Sequence, residues 1–224
     1  MLKPKKRLTK QELKEDKFVK TTLQVKSYVD QNYKQVMTVV LSVFALIVVL
    51  IVYGQLSGES SQAAQGQLGI AQIEYNNENY DQARERLHRL IDQYGSSDAA
   101  QQGRLILANI YYNEKDYDSA ELYFREFIDS YSGSDILLAS GYAGLAACLE
   151  LKNNFSDAAE LYEKAAKQAP NYTESDNYMY LSGVCYRKAG NPEEARRIFK
   201  NLKENAKSQK TSRDAEIQLT LLSK

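Results

Sequence analysis

The sequence has little of what metal sites, disulfide frameworks and phosphate-binding loops require. Its 224 residues include no Trp, three Pro, two Cys and one His. Two cysteines do not build a disulfide framework, and with one His they cannot supply the four ligands of a usual structural zinc site. No Gly-rich run resembles a phosphate-binding loop, and no spacing arranges Ser, Asp and His as a catalytic set. We therefore predict no catalytic residue, no cofactor and no metal, and we predict that the protein is not an enzyme.

The charges are unevenly distributed, although the net charge is zero. Residues 1–34 hold ten basic and four acidic side chains, which leaves this segment at +6 and the remainder at −6. No Lys or Arg lies between Lys34 and Arg84. We expect the basic segment to lie against anionic lipid head groups and not to bind nucleic acid.

An apolar run lies at the border between the two charge regions. Residues 36–53 read VMTVVLSVFALIVVLIVY, and only Thr38 and Ser42 are polar. At 1.5 Å per residue this run forms a helix of roughly 27 Å, close to the roughly 30 Å hydrocarbon core of a bilayer. A core helix would show a polar face, so the run predicts a transmembrane helix at 35–54. The basic flank places residues 1–34 in the cytoplasm and the rest of the chain outside it.

Two alternatives share this hydrophobic segment. A cleaved signal peptide is disfavoured because the basic lead and the apolar run are both longer than usual and no small-x-small cleavage site follows. A receptor facing the cytosol is disfavoured by the basic flank. Residues 55–62 are small and polar, and they predict a short flexible linker.

Internal repetition is the strongest pattern in the remainder. Four alanines lie 37, 38 and 37 residues apart, each three residues after an aromatic residue or Pro. A small residue comes twelve positions before each alanine, and apolar residues follow four and seven positions after it. This spacing predicts one helix pair in each unit. The alanines are Ala83, Ala120, Ala158 and Ala195, and the small residues are Ala71, Ala108, Ala146 and Gly183.

The pattern resembles the tetratricopeptide repeat family, in which each unit is a helix-turn-helix. The third unit matches best, with Tyr142, Ala146, Phe155, Tyr162 and Pro170 at the family's characteristic positions. The period is longer than the usual 34 residues, as in the repeats of bacterial envelope proteins. The resemblance implies an all-α solenoid of about four helix pairs at 63–208 with a capping helix at 209–224.

In this family partners bind the concave side, which the first helix of each unit lines. We call this surface the first-helix face. The family's clamp for chaperone tails has Lys where this chain has Leu105, so a chaperone-tail receptor is not expected. Tyr and Asn dominate the surface, and they suit the binding of polypeptide. The residues that the resemblance assigns to partner binding are Tyr75, Leu105, Asn109, Tyr112, Asn113, Tyr180 and Arg187.

Two other features have simpler interpretations. Cys148 and Cys185 occupy equivalent positions in neighbouring units, where they are expected to pack as buried side chains. His88 lies among Arg84, Arg86 and Arg89, a cluster that faces solvent or meets lipid or an acidic partner.

The order of segments resembles the ancillary SecYEG translocon subunit family, with a basic lead, one span and a repeat domain. That resemblance implies a protein of the bacterial inner membrane whose repeats lie in the periplasm. Its partners would be translocon subunits, exported chains and envelope chaperones. The alternative is a scaffold in envelope biogenesis, acting in outer-membrane assembly or in Tol-Pal and cell-wall coordination.

Overall fold

The computed structural model describes residues 10–223, with side chains over 20–49 and 61–223. Residues 1–9 of the predicted cytoplasmic segment lie outside this range. Ten helices and no strands are present between residues 10 and 223. The chain forms two compact units, and the boundary between them lies between Gly58 and Glu59. The helices are α1 (Lys10–Gln31), α2 (Tyr33–Asn76), α3 (Tyr80–Tyr94), α4 (Asp98–Asn113), α5 (Tyr117–Ser130), α6 (Asp135–Leu151), α7 (Phe155–Gln168), α8 (Ser175–Lys188), α9 (Pro192–Asn205) and α10 (Gln209–Leu221).

The first compact unit holds α1 and the first part of α2. The segments Lys20–Gln31 and Tyr33–Val49 meet at an angle of 93°. Neither of them alone, nor any other single helix in the described part of the chain, has the length and hydropathy of a membrane span, whereas the bent pair meets both criteria together. The large apolar side chains from Val39 to Val49 are exposed, by 42% to 63%. The side chains of the predicted span after Val49 lie outside the described residues.

Helix α2 continues through residues 55–62, where the sequence predicts a flexible linker. No Pro interrupts this segment, and Gln, Leu and Glu have enough helix propensity to offset its Gly and Ser residues. The small polar residues at 55–62 therefore do not end the helix, and the predicted flexible linker is helical.

Four helix pairs and a closing helix form the second compact unit. Residues 63–76 of α2 pair with α3, and the later pairs are α4–α5, α6–α7 and α8–α9. Buried clusters join each pair to the next. In one of them, Leu87 and Leu90 of α3 pack with Leu107 and Ile110 of α4. Each unit thus buries its apolar face only by stacking on a neighbour. The predicted all-α repeat solenoid is confirmed.

The turn between the two helices of each pair uses one backbone conformation. Glu78, Lys115, Asn153 and Gly190 occupy the same position in the four units, and their φ values are 61°, 66°, 61° and 76°. This left-handed region favours Gly, yet three of the four residues carry side chains. The turn geometry is therefore imposed by the packing of the two helices.

Helix α10 covers the last pair. Ala215 is fully buried, and Leu219 and Leu222 pack against the cluster that contains Ile198 and Phe199 of α9. Helix α10 contacts α8 as well as α9, so it occupies the place of a first helix in a fifth unit.

Candidate functional site

The first two units present paired aromatic side chains on the first-helix face. The Tyr75 and Tyr80 ring centroids lie 5.8 Å apart, and those of Tyr112 and Tyr117 lie 5.7 Å apart. In both pairs the first Tyr is close to the end of a first helix and the second Tyr begins the next helix. Tyr75 and Tyr112 are half-buried, which leaves part of each ring available to a partner.

Amide side chains lie beside these rings. Asn113 is exposed, and its Nδ2 donates a hydrogen bond to the hydroxyl oxygen of Tyr80 over 3.3 Å. This bond joins the first unit to the second and brings Asn113 close to the Tyr75 pair. Asn109, one turn earlier on α4, is half-buried. Burial raises the pKa of Tyr112, so its hydroxyl stays neutral and can donate at physiological pH.

Leu105 differs from the prediction, because it contributes little to the surface. Its exposed fraction is 8%, and it belongs to a buried cluster with Phe124 and with Leu145 of α6. Successive first helices approach each other here, so an apolar side chain at this position packs between units. A partner meets the neighbouring Asn109 and Tyr112 instead.

Tyr180 and Arg187 lie at the other end of the stack. The Tyr180 hydroxyl accepts a hydrogen bond from Gln218 Nε2 over 3.1 Å, and its ring centroid is 5.7 Å from that of Phe199. Tyr180 is therefore partly covered by α10. Arg187 is exposed, and it forms no ion pair with the acidic side chains between residues 20 and 223 whose positions are described. Its guanidinium is free to bind a carboxylate or a carbonyl of a partner.

An ion pair replaces the aromatic residue in the third unit. Glu150 occupies the position of Tyr75 and Tyr112, and its Oε1 lies 2.7 Å from the Lys188 ammonium of the fourth unit. The same ammonium lies 5.3 Å from the centre of the Phe155 ring. The first-helix face thus changes from aromatic and amide groups to charged groups along the stack.

Three exposed apolar residues were not among the predicted site residues. Leu151, Ile217 and Leu221 are 48%, 53% and 50% exposed. Leu151 ends α6 at the repeat position of Asn113, and Ile217 follows Tyr180 by the 37-residue repeat spacing, with Leu221 one turn later on α10. The closing helix contains more apolar residues than one buried face requires, and this excess is the sequence signal that indicates Ile217 and Leu221.

The basic cluster on α3 is neutralised by acidic neighbours. Arg86 forms a bidentate pair with Glu74, with Arg86 Nη2 and Glu74 Oε1 2.9 Å apart. Arg84 pairs with Glu114 at 2.7 Å, and Arg89 lies 3.5 Å from Glu85. Each of these three arginines therefore already has an acidic partner, which disfavours their binding to lipid or to an acidic protein.

Neither cysteine is placed for redox chemistry. Cys148 and Cys185 are free, buried thiols, as the repeat register predicts. Burial raises the pKa of each to about 12, which keeps both protonated near neutral pH. Over the described residues, no three His, Cys, Asp or Glu side chains are grouped as metal ligands.

Comparison with known proteins assigns the fold to a family. A family model for a tetratricopeptide repeat-like domain matches residues 26–224. The chain belongs to this family. The match begins before the apolar run and extends through the helix pairs. Comparison with curated protein sequences gives no match.

Solved structures of other proteins have a similar fold. The pilF structure from Pseudomonas aeruginosa is 18% identical with a TM-score of 0.55, covering 71% of this chain and 70% of that chain. A putative kinesin light chain with nearly identical repeats from Podosopora anserina is 12% identical with a TM-score of 0.56, covering 73% of this chain and 86% of that one. At these identities the likeness concerns the fold alone.

Proposed function

We propose that this protein is a membrane-anchored interaction module that binds polypeptide on its first-helix face. The observation that carries the proposal is the pair of half-buried tyrosines, Tyr75 and Tyr112, with the amides of Asn109 and Asn113 beside them. A tyrosine ring buries a large apolar area with few rotatable bonds, and an amide satisfies both groups of a peptide backbone. These groups suit a chain that is extended or only partly folded.

The far end of the same face adds two kinds of contact. Leu151, Ile217 and Leu221 offer exposed apolar area, and Arg187 offers an unpaired cation. An unfolded segment carries apolar side chains and carbonyl groups along its length, so it uses both. The proposed activity is binding and involves no catalytic step.

The anchor in this proposal is a helix over residues 35–54. Large apolar side chains between Val39 and Val49 are 42% to 63% exposed, and no buried core includes them. An apolar surface of this extent needs a partner or a membrane. The +6 segment before it supports an orientation with the N-terminus in the cytoplasm and the repeats outside.

In a bacterium, a protein of this proposed orientation has its repeats in the periplasm beside the inner membrane. We propose the role of an ancillary translocon factor that receives exported chains and passes them to envelope chaperones. The order of segments, with a basic lead, an apolar run and a repeat domain, supports this role. The alternative role is a scaffold for outer-membrane assembly or for Tol-Pal and cell-wall coordination.

Site-specific photo-crosslinking in intact cells tests the role. One probe replaces Leu46 in the anchor and another replaces Tyr112 on the first-helix face. A control probe replaces Leu122, which is 53% exposed on the second helix α5. We expect channel subunits at position 46, exported chains or chaperones at position 112, and neither at position 122. Barrel-assembly or wall-synthesis proteins at position 112 would overturn the translocon role in favour of the scaffold.

Protease treatment of sealed vesicles tests the orientation. With the cytoplasmic side accessible, we expect residues 63–223 to stay intact and to be digested only after the membrane is permeabilised. Digestion of the repeats from the cytoplasmic side would contradict the proposed orientation.

A further inference from the structure

The first helix of the first unit lacks the cover that the later first helices have. In α4, Gly103, Leu107 and Ile110 face the preceding helix α3, and all three are buried. A Cβ atom built on Gly103 would lie 3.3 Å from Leu90 and 3.4 Å from Leu87. These contacts define the stacking face, by which each first helix packs against the unit before it. In α6 the residues of this stacking face are Gly141, Gly144, Leu145 and Cys148, which pack against Phe124 and Phe127.

The same positions on α2 are open. The equivalent residues are Gly66, Gly69, Ile70 and Ile73, and no unit precedes them in the second compact unit. Ile70 is 46% exposed and Ile73 is 61% exposed, whereas their counterparts Leu107 and Ile110 are fully buried. A Cβ atom on Gly66 or Gly69 would meet nothing within 4 Å. Within the second compact unit, this part of α2 therefore carries an apolar stacking face that no other helix covers.

The opposite end of the stack is finished differently. Helix α10 turns Ala215, Leu219 and Leu222 toward the core. Glu216 and Thr220 lie on its other side, where both are exposed and Glu216 pairs with Lys203 at 2.8 Å. Terminal units of repeat proteins require such a polar outer face in water. Ile217 and Leu221 of α10 are also exposed, so a head-to-tail assembly is the alternative, and it would keep residue 70 of the two copies apart and give no disulfide between them.

The exposed stacking face of α2 is self-complementary in shape and charge. Its glycines leave depressions in the surface, and its isoleucine side chains project beside them. The isoleucines of one copy can therefore fill the depressions of the other. Residues 60–73 contain no charged side chain, so two copies meet without like-charge repulsion. In a two-fold pair each contact occurs twice, and a bulky residue of one copy meets a small residue of the other.

We propose that a second copy of this chain covers the stacking face of α2, with Ile70 of one copy packed against Gly69 of the other. Within one chain, α3 covers the stacking face of α4 and α5 covers that of α6, and in the proposed pair the second copy's α2 takes this covering role. The proposal goes beyond polypeptide binding and does not depend on it. A seam of one helix from each copy is smaller than the roughly 800 Å² per partner of a stable interface, so we expect a weak and reversible dimer.

Disulfide trapping in the full-length chain tests the pair. Ile70→Cys is introduced in one variant and Leu122→Cys, at a similarly exposed position, in a control. The two native thiols are buried, so background crosslinking is low. Under mild oxidation in detergent micelles we expect at least a tenfold higher yield of covalent dimer from Cys at position 70 than at position 122. Equal yields, or no dimer at position 70, would overturn the proposal.

A second substitution separates specific pairing from chance collision. Ile73→Arg is added to the Ile70→Cys variant, and because Ile73 is 61% exposed this change leaves the fold intact. Two arginines would face each other across the pair, so we expect the dimer yield to fall to the level of the position 122 control. An unchanged yield, or a disulfide to a different protein in place of the second copy, would contradict the pairing. Circular dichroism confirms that each variant is folded.

Discussion

At the scale of single residues, the burial of a side chain depends on the unit next to it as well as on its position in the repeat. Buried Cys148 and Cys185 follow from their place among aliphatic equivalents. The left-handed turn residues Glu78 and Lys115 could not be predicted, because neither residue type favours positive φ. Leu105 was placed on the binding surface by its repeat position, but its apolar side chain packs between units. Local position sets the direction of a side chain, and the neighbouring unit decides its burial.

Gly190 gives a clean test of the turn conformation. Its φ is 76° and a Cβ atom would meet nothing within 4 Å, so Gly190→Ala adds backbone strain without a clash. We expect a loss of about 1–2 kcal/mol in the free energy of unfolding, measured by urea denaturation. The control is Gly66→Ala, which is also in open space but helical, and it should gain about 0.5–1 kcal/mol. The same sign for both changes would contradict this interpretation.

The two thiols provide a second residue-scale test. Burial raises the pKa of Cys148 and of Cys185 to about 12, and the thiolate is the reactive form. At pH 8 we expect almost no reaction with a disulfide reagent in the folded protein and complete reaction of both thiols in concentrated urea. Fast labelling of the native chain would show that the core around the thiols is open.

At the scale of helices, the pairs were predictable and their ends were not. The 37-residue period placed each pair because apolar residues recur on one helical side. The linker predicted at 55–62 is helical, since α2 runs on through these residues to Asn76. Small polar residues weaken a helix, but only a break in hydrogen bonding, as at Pro, ends one reliably.

Close approach between helices makes one glycine pair informative. A Cβ atom on Gly144 would overlap the Phe124 ring, whereas a Cβ atom on the equivalent Gly69 would meet nothing within 4 Å. Gly144→Ala should therefore cost about 1–3 kcal/mol through overpacking, and Gly69→Ala should not destabilise the fold. Thermal unfolding followed by circular dichroism measures both. If the two variants had equal melting temperatures, the stacking of α6 on α5 would be wrong.

At the scale of the whole molecule, stability depends on covering the last apolar face. Ala215 of α10 is fully buried, and Ile217 on the same helix is 53% exposed. Ala215→Asp places a charge in the last core cluster and should cost more than about 2 kcal/mol. Ile217→Asp, the matched control, should change stability by no more than about 0.5 kcal/mol. Similar losses in urea denaturation would mean that α10 does not cap the stack.

The binding surface was only partly predictable at this scale. The tyrosines and amides of the first two units follow from the repeat register. The apolar end formed by Leu151, Ile217 and Leu221 arises because α10 takes the place of a fifth first helix, and this required the packing of the closing helix to be known. Sequence alone assigned that helix to capping and left its second side without a role.

Affinity for an unfolded polypeptide is the measurement that tests the central claim most directly. Fluorescence anisotropy of a labelled, reduced and alkylated model protein gives Kd for the wild-type chain, for Tyr112→Ala and for Tyr172→Ala. Tyr172 is the matched control, because it is also half-buried, lies 6.4 Å from a second tyrosine ring, and belongs to the connection between α7 and α8. We predict that Tyr112→Ala raises Kd by about tenfold or more, as loss of a central aromatic contact does, and that Tyr172→Ala changes it less than about twofold. Equal effects of the two substitutions, or none from Tyr112→Ala, would contradict binding on the first-helix face.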